Sequence, residues 1–375
     1  MFVTSLELVD FRSYGHVELD LEQGVSTLVG RNGQGKTNIV EAIGYLASLG
    51  SHRVASDQPL VRHGAQSAVV RAAVERLGRR LLLEIEVVPG KSNRARINKS
   101  PLPRARELLG VLRTVVFAPE DLGLVRGDPD ARRVFLDELM VLRTPRLAGV
   151  RADYDRTLKQ RNALLKSAAA TRGAFDVSTL AVWNDHLVQL GSEVLEARLT
   201  LVSDLQSPVH QAYADLAPTG GDARLDYKPS WCEESPLARS IDREQIAAEL
   251  VRALERVERV ELQRGVTLVG PHRDDLVLLL GDHPAKGYAS HGESWSMVLA
   301  LRLASFTLLR ADGDDPVLIL DDVFAELDAT RRARLAAMVG DAEQVLVTAA
   351  VADDIPDTLT GRRFSVESGQ VRREP

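Results

Sequence analysis

Residues 30–37 constrain this chain more than any other stretch of its sequence. They are Gly30, Arg31, Asn32, Gly33, Gln34, Gly35, Lys36 and Thr37, and they fit the pattern GxxxxGK[ST]. An apolar run, residues 25–29, precedes them, and apolar residues at helical spacing follow in residues 39–49. In that context, glycines let backbone N–H groups turn inward around phosphate oxygens. The stretch therefore predicts a phosphate-binding loop for ATP, in which Lys36 reaches the β- and γ-phosphates and the Thr37 hydroxyl binds Mg²⁺.

A second apolar run, residues 317–320, ends in two acidic residues, Asp321 and Asp322. A buried parallel strand would deliver the Asp321 carboxylate to the rim of its sheet, where it can hold the water shell of Mg²⁺. We expect Asp322 to orient or deprotonate the attacking water. Acids are common at strand ends, so this prediction depends on the phosphate-binding loop. Together the two motifs predict that Lys36, Asp321 and Asp322 are catalytic.

Composition excludes several other classes of protein. Hydrophobic residues make up 45% and charged residues 27% of the 375 positions, which is ordinary for a soluble chain of about two or three domains. No apolar run approaches the roughly 20 residues of a membrane helix, and the N-terminus lacks a signal pattern. The single cysteine, Cys232, cannot form an intrachain disulfide or a cysteine-based zinc site. We therefore expect a cytoplasmic protein without a membrane partner.

Residues 129–264 differ in pattern from the rest of the chain. Strand patterns nearly vanish there, and residues 180–201 carry apolar side chains at alternating spacings of 3 and 4 over three heptads. We interpret this segment as a helical arm, with a turn near residues 168–178, a loop or hairpin at 218–236 and a capping box that begins at Asp242. Residues 1–128 and 265–375 would then form the two parts of one α/β ATPase head.

The segment Ala-Ser-His-Gly-Glu at residues 289–293 (the signature segment) lies 28 residues before Asp321. Its Ser290 and Gly292 resemble the signature motif of ABC ATPases, in which a serine and the following backbone contact the γ-phosphate of a nucleotide on the opposite subunit. A simple helix cap is the alternative interpretation. Residues 325–328 resemble the D-loop of the same ATPases, which joins the two active sites across a dimer.

Two positions depart from the ABC pattern. Thr348 stands where that family often has a switch histidine, and Asp322 stands where many relatives carry a glutamate, which is one methylene longer. Both departures suggest slow hydrolysis. We also find no clear Q-loop glutamine, and residues 119–121 are the candidates for that region.

Further strings, spread from Phe11 to Asp328, resemble the RecF family of bacterial DNA replication and repair proteins, which belongs to the Rad50/SMC group of ABC-type ATPases. They are residues 10–14, 32–38, 41–43, 51–53, 117–122, 132–133, 136–137 and 270–275. The separation of 284 positions from Thr37 to Asp321 agrees with an arm inserted into a head. The resemblance implies a Rad50-like P-loop head with an inserted, mostly helical arm, and it implies that Arg12 approaches the nucleotide.

The resemblance also implies a function. The protein would bind double-stranded DNA at gaps or junctions, form an ATP-dependent homodimer and hydrolyse ATP weakly with stimulation by DNA. It would be associated with the nucleoid and the SOS response to DNA damage, and would help to load recombinase with the RecO and RecR proteins. The alternatives are an SMC-like chromosome-associated ATPase, a transporter ATPase and a non-enzymatic scaffold. The short arm argues against the first, the RecF-like strings against the second, and the intact Lys36, Thr37 and Asp321 against the third.

Residues 91–106 give an independent indication of DNA binding. The net charge of the chain is −6, yet this segment holds six basic residues and no acidic one. Arginines and lysines on a loop can neutralise DNA phosphates without reading the base sequence. The candidates for DNA contact are Arg94, Arg96, Lys99 and Arg104. A solvated basic loop without a ligand is the alternative, and the absence of aromatic residues argues against stacking on single-stranded bases.

Overall fold

The computed structural model describes residues 1–171, 177–218, 220–233 and 242–374. The chain divides into two compact units. The first unit comprises Met1–Val125, Pro208–Gly220 and Ser290–Pro375, and the second comprises Arg126–Ser207 and Gly221–Ala289. The division into head and arm at residues 129 and 264 stays a prediction.

The elements follow one another in chain order as strands and helices with these bounds. The strands are β1 (Phe2–Phe11), β2 (Tyr14–Asp20), β3 (Gly24–Val29), β4 (Ala68–Arg76), β5 (Arg79–Val87), β6 (Arg94–Ile97), β7 (Ser100–Pro101), β8 (Thr114–Phe117), β9 (Ala223–Lys228), β10 (Asp275–Leu280), β11 (His283–Pro284), β12 (Val317–Asp321), β13 (Gln344–Ala349), β14 (Gly361–Glu367) and β15 (Gln370–Arg373). The helices are α1 (Lys36–Ser48), α2 (Leu122–Arg126), α3 (Pro129–Arg143), α4 (Leu147–Thr171), α5 (Val177–Leu216), α6 (Arg243–Arg264), α7 (Ala285–Tyr288), α8 (His291–Ala311) and α9 (Ala329–Val339).

The core sheet of the first unit has the strand order β15-β14-β3-β13-β12-β8. Its pairs β14/β3, β3/β13, β13/β12 and β12/β8 are all parallel. The strand β12, Val317–Asp321, is buried along its whole length, as its continuous apolar run predicts. Because parallel strands end at the same edge, the chain segments that follow β3, β8, β12 and β13 meet at one rim, where α/β proteins bind ligands.

A second, antiparallel sheet of the first unit has the order β2-β1-β4-β5-β6-β7. Helix α1 packs against strands of both sheets. Its apolar residues, among them Ile39, Ile43 and Leu46, are fully buried, and so is Ala42 on another face of the helix. A helix that is buried on nearly every side belongs to the core of its unit, and this position fixes the direction in which α1 presents its first turn to the rim.

The second unit contains helices and a small sheet of order β11-β10-β9. Leu180, Leu187, Val194 and Leu201 are buried at a period of seven on the α5 helix, while the alternate positions of the predicted stripe are partly exposed. The predicted loop or hairpin at 218–236 contains β9, which pairs with β10 rather than with a neighbouring segment of its own. Helix α4 continues to Thr171, and residues 172–176 of the predicted turn, like 234–236, lie outside the described residues.

Asp242 caps helix α6 as predicted, and its carboxylate accepts a hydrogen bond of 3.0 Å from the backbone N–H of Glu244. The bond goes to Glu244 rather than to Gln245, the residue that a capping box would use. The cap satisfies one of the free N–H groups at the start of the helix.

Residues 270–275, whose role the sequence left open, contribute the buried Asp274 and the partly buried His272 to a polar network of the second unit, while Arg273 is exposed. The carboxylate of Asp274 accepts hydrogen bonds from the Tyr227 hydroxyl at 2.9 Å, the Ser230 backbone at 2.7 Å and the Trp231 indole at 3.1 Å. Nδ1 of His272 lies 2.7 Å from the Tyr154 hydroxyl. Burial lowers the pKa of His272 to about 4, so the imidazole is neutral at pH 7. The network is structural, because it satisfies buried polar groups that would otherwise destabilise the unit.

Candidate nucleotide-binding site

The phosphate-binding loop leaves the carboxyl end of β3 and enters α1 at Lys36. Gly35 has φ of +107°, and a Cβ atom there would lie 2.6 Å from the hydroxyl oxygen of Tyr14. Gly30 has no room for a side chain either, because its Cβ would lie 2.1 Å from the carbonyl oxygen of Val366. The Tyr14 hydroxyl donates to the carbonyl of Gly35 at 3.2 Å. These contacts fix the loop so that its N–H groups stay available at the first turn of α1.

The other loop residues divide between anchors and exposed positions. The side-chain oxygen of Gln34 accepts a hydrogen bond of 2.6 Å from the backbone N–H of Ser368, which ties the loop to the turn between β14 and β15. Arg31, Asn32 and Gly33 are exposed at the top of the loop. The chain thus supports the loop from one side and leaves the other side open to a ligand.

Lys36 is buried although it carries a charge, with 3% of its surface exposed. Its ammonium donates to the carbonyl oxygen of Arg31 across the loop, at a distance of 3.4 Å. A long hydrogen bond to a neutral carbonyl compensates a buried cation poorly. The Asp322 carboxylate nearby offsets part of this charge, and the geometry is suited to a phosphate oxygen, which would supply further negative charge.

The chain brings Thr37 and Asp321 together across 284 residues. The Thr37 hydroxyl donates to Oδ1 of Asp321 at 2.9 Å, and the Thr348 hydroxyl donates to the same atom at 2.6 Å. Asp321 is buried, with 2% of its surface exposed. A carboxylate and a hydroxyl oxygen at the rim of the sheet fit Mg²⁺, which prefers hard oxygen ligands and keeps several waters and phosphate oxygens in its shell.

Asp322 follows Asp321 in the left-handed region, at φ of +51°. Its backbone N–H donates to the Thr348 hydroxyl at 2.9 Å, so Thr348 supports both acids. Burial raises the pKa of Asp322, and the Asp321 charge raises it further, while Lys36 and the Thr348 hydrogen bond oppose the shift. A carboxylate with a raised pKa is a better proton acceptor than an ordinary surface aspartate.

Sequence reasoning missed His52 at this site. Its Nε2 atom is buried, has no hydrogen-bond partner among the described residues and lies 3.6 Å from Oδ2 of Asp321. In the sequence, residues 51–53 indicate only a resemblance to a family string. Nothing in the sequence spacing placed His52 beside Asp321, because the segment after α1 returns to the rim only through the tertiary fold.

The Arg12 guanidinium contacts α1 rather than the phosphate-binding loop. Its Nε donates to Oε2 of Glu41 at 2.8 Å and its Nη1 donates to the carbonyl of Pro59 at 3.0 Å. Burial by itself would raise the pKa of Glu41, but hydrogen bonds from Arg12 and Ser51 hold that pKa below its ordinary range. Arg12 also lines a cleft of about 510 Å³. The other residues along it include Ser13, Asn38, Arg62 and His63.

Ser290 is the N-cap of α8, and it forms a capping box with Glu293. Its hydroxyl accepts from the Glu293 N–H at 3.3 Å, and the Glu293 carboxylate accepts from the Ser290 N–H at 2.8 Å. Ser290 therefore caps the helix, as the alternative interpretation predicted. The exposed N-terminus of α8 also presents a partial positive charge. Among the described residues, no hydrogen bond joins Ser290 or Gly292 to residues 30–37.

Residues 91–106 contain no acidic residue, but acidic residues of the neighbouring strand β5 lie beside them in the fold. Strand pairing sets Arg94 opposite Glu86 and Arg96 opposite Glu84, with ion pairs of 3.3 Å and 2.5 Å. Lys99 and Arg104 are exposed, and no ion pair of either is seen within the described part of the chain. Lys99 and Arg104, together with the exposed Lys91, therefore carry positive charge that no acidic residue among the described ones neutralises.

Residues 119–121 follow the carboxyl end of β8, beside β12 in the core sheet. The Asp121 carboxylate accepts from the backbone N–H of Ala118 at 3.0 Å and from Nε of Arg302, on α8, at 3.1 Å. This segment lies at the rim of the core sheet and is paired to α8 through Asp121, and its assignment to the Q-loop region stays a prediction.

The parallel core sheet, the phosphate-binding loop and the Thr37–Asp321 contact define a P-loop ATPase head of the Rad50/SMC type. The family model for the RecF/RecN/SMC N terminal domain matches residues 2–359. The chain belongs to the RecF family: it is 58% identical to proteins named DNA replication and repair protein RecF from Streptomyces avermitilis and from Frankia alni, each over the full length of both chains. The family predicted from the sequence is confirmed.

Solved structures agree on the fold. A structure described as the recombination mediator protein RecF-ATPrS in the RecFOR pathway has a TM-score of 0.89, at 25% identity, over 99% of this chain and 98% of that one. An Smc head domain from Pyrococcus furiosus has a TM-score of 0.57 at 16% identity, over 100% of this chain and 96% of that one, and shows the fold alone. The predicted fold class, a Rad50-like head with a mostly helical insertion, is confirmed. Among the described residues, every helix is too short or too polar to span a membrane.

Proposed function

We propose that this protein is an ATP-dependent DNA-binding protein of replication and recombinational repair, which dimerises when it binds ATP. The observation that carries the proposal is the convergence of Thr37, Asp321 and Thr348 beside the buried Lys36. The N–H groups of residues 30–37 and the Lys36 ammonium hold the phosphates, and the cleft that Arg12 lines receives the nucleoside. RecF relatives named for DNA replication and repair support this function.

Thr37 and Asp321 would hold Mg²⁺, which neutralises charge on the β- and γ-phosphates when it is bound. Asp322 orients the attacking water and accepts its proton, with Thr348 fixing the backbone from which that carboxylate extends. The short Asp322 side chain and the threonine in place of a switch histidine leave the water loosely positioned. Hydrolysis is therefore slow, and DNA stimulates it by closing the site.

The nucleotide site is completed by a second copy of the chain. Ser290 and the N–H groups at the start of α8 contact the γ-phosphate held by the partner, since an exposed helix N-terminus favours an anion. ATP thus stabilises a homodimer that hydrolysis releases. Duplex DNA binds through Lys99 and Arg104, with Arg94 and Arg96 contributing once DNA phosphates replace Glu86 and Glu84. The RecFOR pathway of the structural relative supports RecO and RecR as partners in recombinase loading.

Light scattering after size-exclusion chromatography tests this proposal directly. We expect a monomer without nucleotide, a dimer with ATP and Mg²⁺, and a monomer again for Ser290→Arg under both conditions. Binding of a fluorescent ATP analogue should be retained by Ser290→Arg and lost by Lys36→Ala, because only Lys36 belongs to the phosphate-binding loop. If the molar mass of the wild type is the same with and without saturating ATP, the proposed ATP-dependent dimer is contradicted.

A further inference from the structure

Arg331, in the first turn of α9, connects two segments that lie far apart in sequence. Its Nη1 forms an ion pair with the carboxylate of Asp328, the last residue of the D-loop. Its Nε donates to the hydroxyl of Ser296, in the second turn of α8, at 3.0 Å. One planar guanidinium therefore bridges the D-loop and the helix that begins at the signature segment.

Gly292 makes room for this bridge. A Cβ atom at Gly292 would lie 3.1 Å from both terminal nitrogens of Arg331 and 3.3 Å from the carbon between them. Gly292 does not require a left-handed backbone, and glycine is a poor helix former. A methyl group at this position would crowd the guanidinium, which would have to move by a few tenths of an ångström.

The position of Arg331 is unfavourable for the stability of α8 by itself. The N-terminus of a helix carries a partial positive charge, so a cation beside it is repelled. The negative charges of Asp328 and Glu293 offset that repulsion. Hydrogen bonds from Ser290 lower the pKa of Glu293, and the Arg331 charge lowers it further, so Glu293 is ionised at neutral pH. The position of Arg331 is therefore stabilised by its ion pair with Asp328 and by the nearby Glu293 charge, and not by the dipole of α8.

We infer that Arg331 is a positioning residue that locks the signature segment to the D-loop of the same chain. The inference rests on the proposed function, in which the signature segment contacts the nucleotide of the second copy. When that nucleotide binds, the shift of the signature segment is transmitted through Arg331 to the D-loop, which lies between the two sites. The lock therefore couples the two nucleotides of the dimer, so that the second binds more readily than the first.

The test compares Arg331→Ala with Arg334→Ala, a matched control one turn further along α9. Arg334 donates to the carbonyl of Leu216 at 2.9 Å, and none of its described contacts involves the signature segment or the D-loop. For Arg331→Ala we expect unchanged binding of a fluorescent ATP analogue to the monomer. The ATP concentration for half-maximal dimerisation, measured by light scattering, should rise about tenfold, and the Hill coefficient of ATP hydrolysis should fall to about one.

Two further variants separate the lock from a general loss of structure. Arg331→Lys retains a charge for Asp328 but lacks the fork that reaches Ser296, so dimerisation should be intermediate. Ser296→Ala should weaken dimerisation in the wild type, and the two changes together should weaken it by less than the sum of their separate effects, because both remove the Arg331–Ser296 contact, although Ser296→Ala also removes the hydrogen bond of 3.0 Å that Ser296 donates to the carbonyl of Gly292. Additive effects of the two changes would overturn the inference.

Three other outcomes separate a failure of the Arg331 lock from a failure of the proposed function. An Arg331→Ala protein that dimerises and hydrolyses ATP cooperatively, like Arg334→Ala, would overturn the lock and leave the proposed function intact. A parallel loss of monomer ATP binding and of melting temperature would show a merely structural role and would likewise overturn it. A wild type that stays monomeric with ATP would instead reject the proposed function, and the inference with it.

Discussion

The hydroxyl of Thr348 donates a hydrogen bond of 2.6 Å to Oδ1 of Asp321, and both side chains are buried at the rim of the core sheet. The two residues are direct neighbours in the register of β12 and β13. Thr348 stands at the position where the sequence lacks a switch histidine. Its hydroxyl also accepts from the N–H of Asp322, so the residue supports the proposed metal ligand and the proposed base together.

Replacing Thr348 with valine should test this support. Thr348→Val keeps the shape of the side chain but leaves the Asp322 N–H and one Asp321 interaction without a partner. We expect the free energy of unfolding, measured in urea, to fall by about 1–3 kcal/mol, and ATP hydrolysis to slow further. Thr348→Ser retains the hydroxyl and should remain close to wild type in hydrolysis. Equal rates for the valine and serine variants would contradict the bridging role.

Two glycines of the phosphate-binding loop provide a matched comparison. Gly33→Ala meets a positive φ of +81° but no atom within 4 Å, whereas Gly35→Ala adds a contact of 2.6 Å with Tyr14 at φ of +107°. We expect Gly33→Ala to destabilise the protein by about 1–2 kcal/mol and still bind ATP. Gly35→Ala should abolish ATP binding, because the loop must move away from Tyr14. Similar ATP affinities of the two variants, measured by calorimetry, would contradict this account.

The buried Nε2 atom of His52 has no hydrogen-bond partner among the described residues, and this leads to a prediction about the stability of the folded protein. A buried polar atom without a hydrogen bond destabilises the folded chain, so His52→Phe should leave the free energy of unfolding unchanged or raise it slightly. The same variant should require more Mg²⁺ for half-maximal ATP binding, if the imidazole supports Oδ2 of Asp321 when the site is loaded. Unfolding in urea and Mg²⁺ titrations with the fluorescent analogue measure the two effects separately. Normal Mg²⁺ dependence would assign His52 a packing role only.

The His272–Tyr154 contact predicts a dependence of stability on pH. The pKa of His272 is lowered from 6.5 to about 4 by burial, so the folded state favours the neutral ring. Its contribution is fully present above pH 6.5 and is lost as the pH falls from 6.5 to about 4, by at most about 3 kcal/mol. His272→Gln removes this titration, so the difference between the two unfolding profiles isolates it from Asp274, whose raised pKa acts in the opposite direction. Parallel profiles would reject the burial of a neutral His272.

DNA binding should depend on the cations that have no acidic neighbour. Lys99→Ala with Arg104→Ala should weaken duplex binding and reduce its dependence on salt concentration by about two counterions. The comparison pair, Arg94→Ala with Arg96→Ala, removes the same charge and frees Glu86, while Glu84 keeps its ion pair with Arg71. It should therefore also weaken binding, in part through repulsion by Glu86. Fluorescence anisotropy over a range of salt concentrations measures both slopes. Unchanged slopes for both pairs would exclude this sheet edge from the DNA site.

Local patterns in the sequence were sufficient for the parts of the site that are contiguous in the chain. The strand, glycine loop and helix around residues 30–37 form together because the period of the apolar residues changes there from two to 3.6, and the glycines supply the backbone angles of the turn. The apolar run before Asp321 predicted a buried strand, and a buried strand ends at a rim. The heptad spacing after residue 180 similarly predicted a long helix, since only a helix brings such residues onto one face.

Tertiary structure alone decided which of these segments meet. Thr348 and His52 reach Asp321, and Arg331 reaches Gly292, through strand order and helix packing that no local pattern encodes. The same is true of Arg94 and Arg96, whose segment is free of acids until strand β5 pairs with β6 and brings Glu84 and Glu86 alongside. The periodicity of apolar residues determines which face of a helix or strand is buried. Which element packs against that face depends on the fold of the whole unit, and therefore on residues that are distant in the sequence.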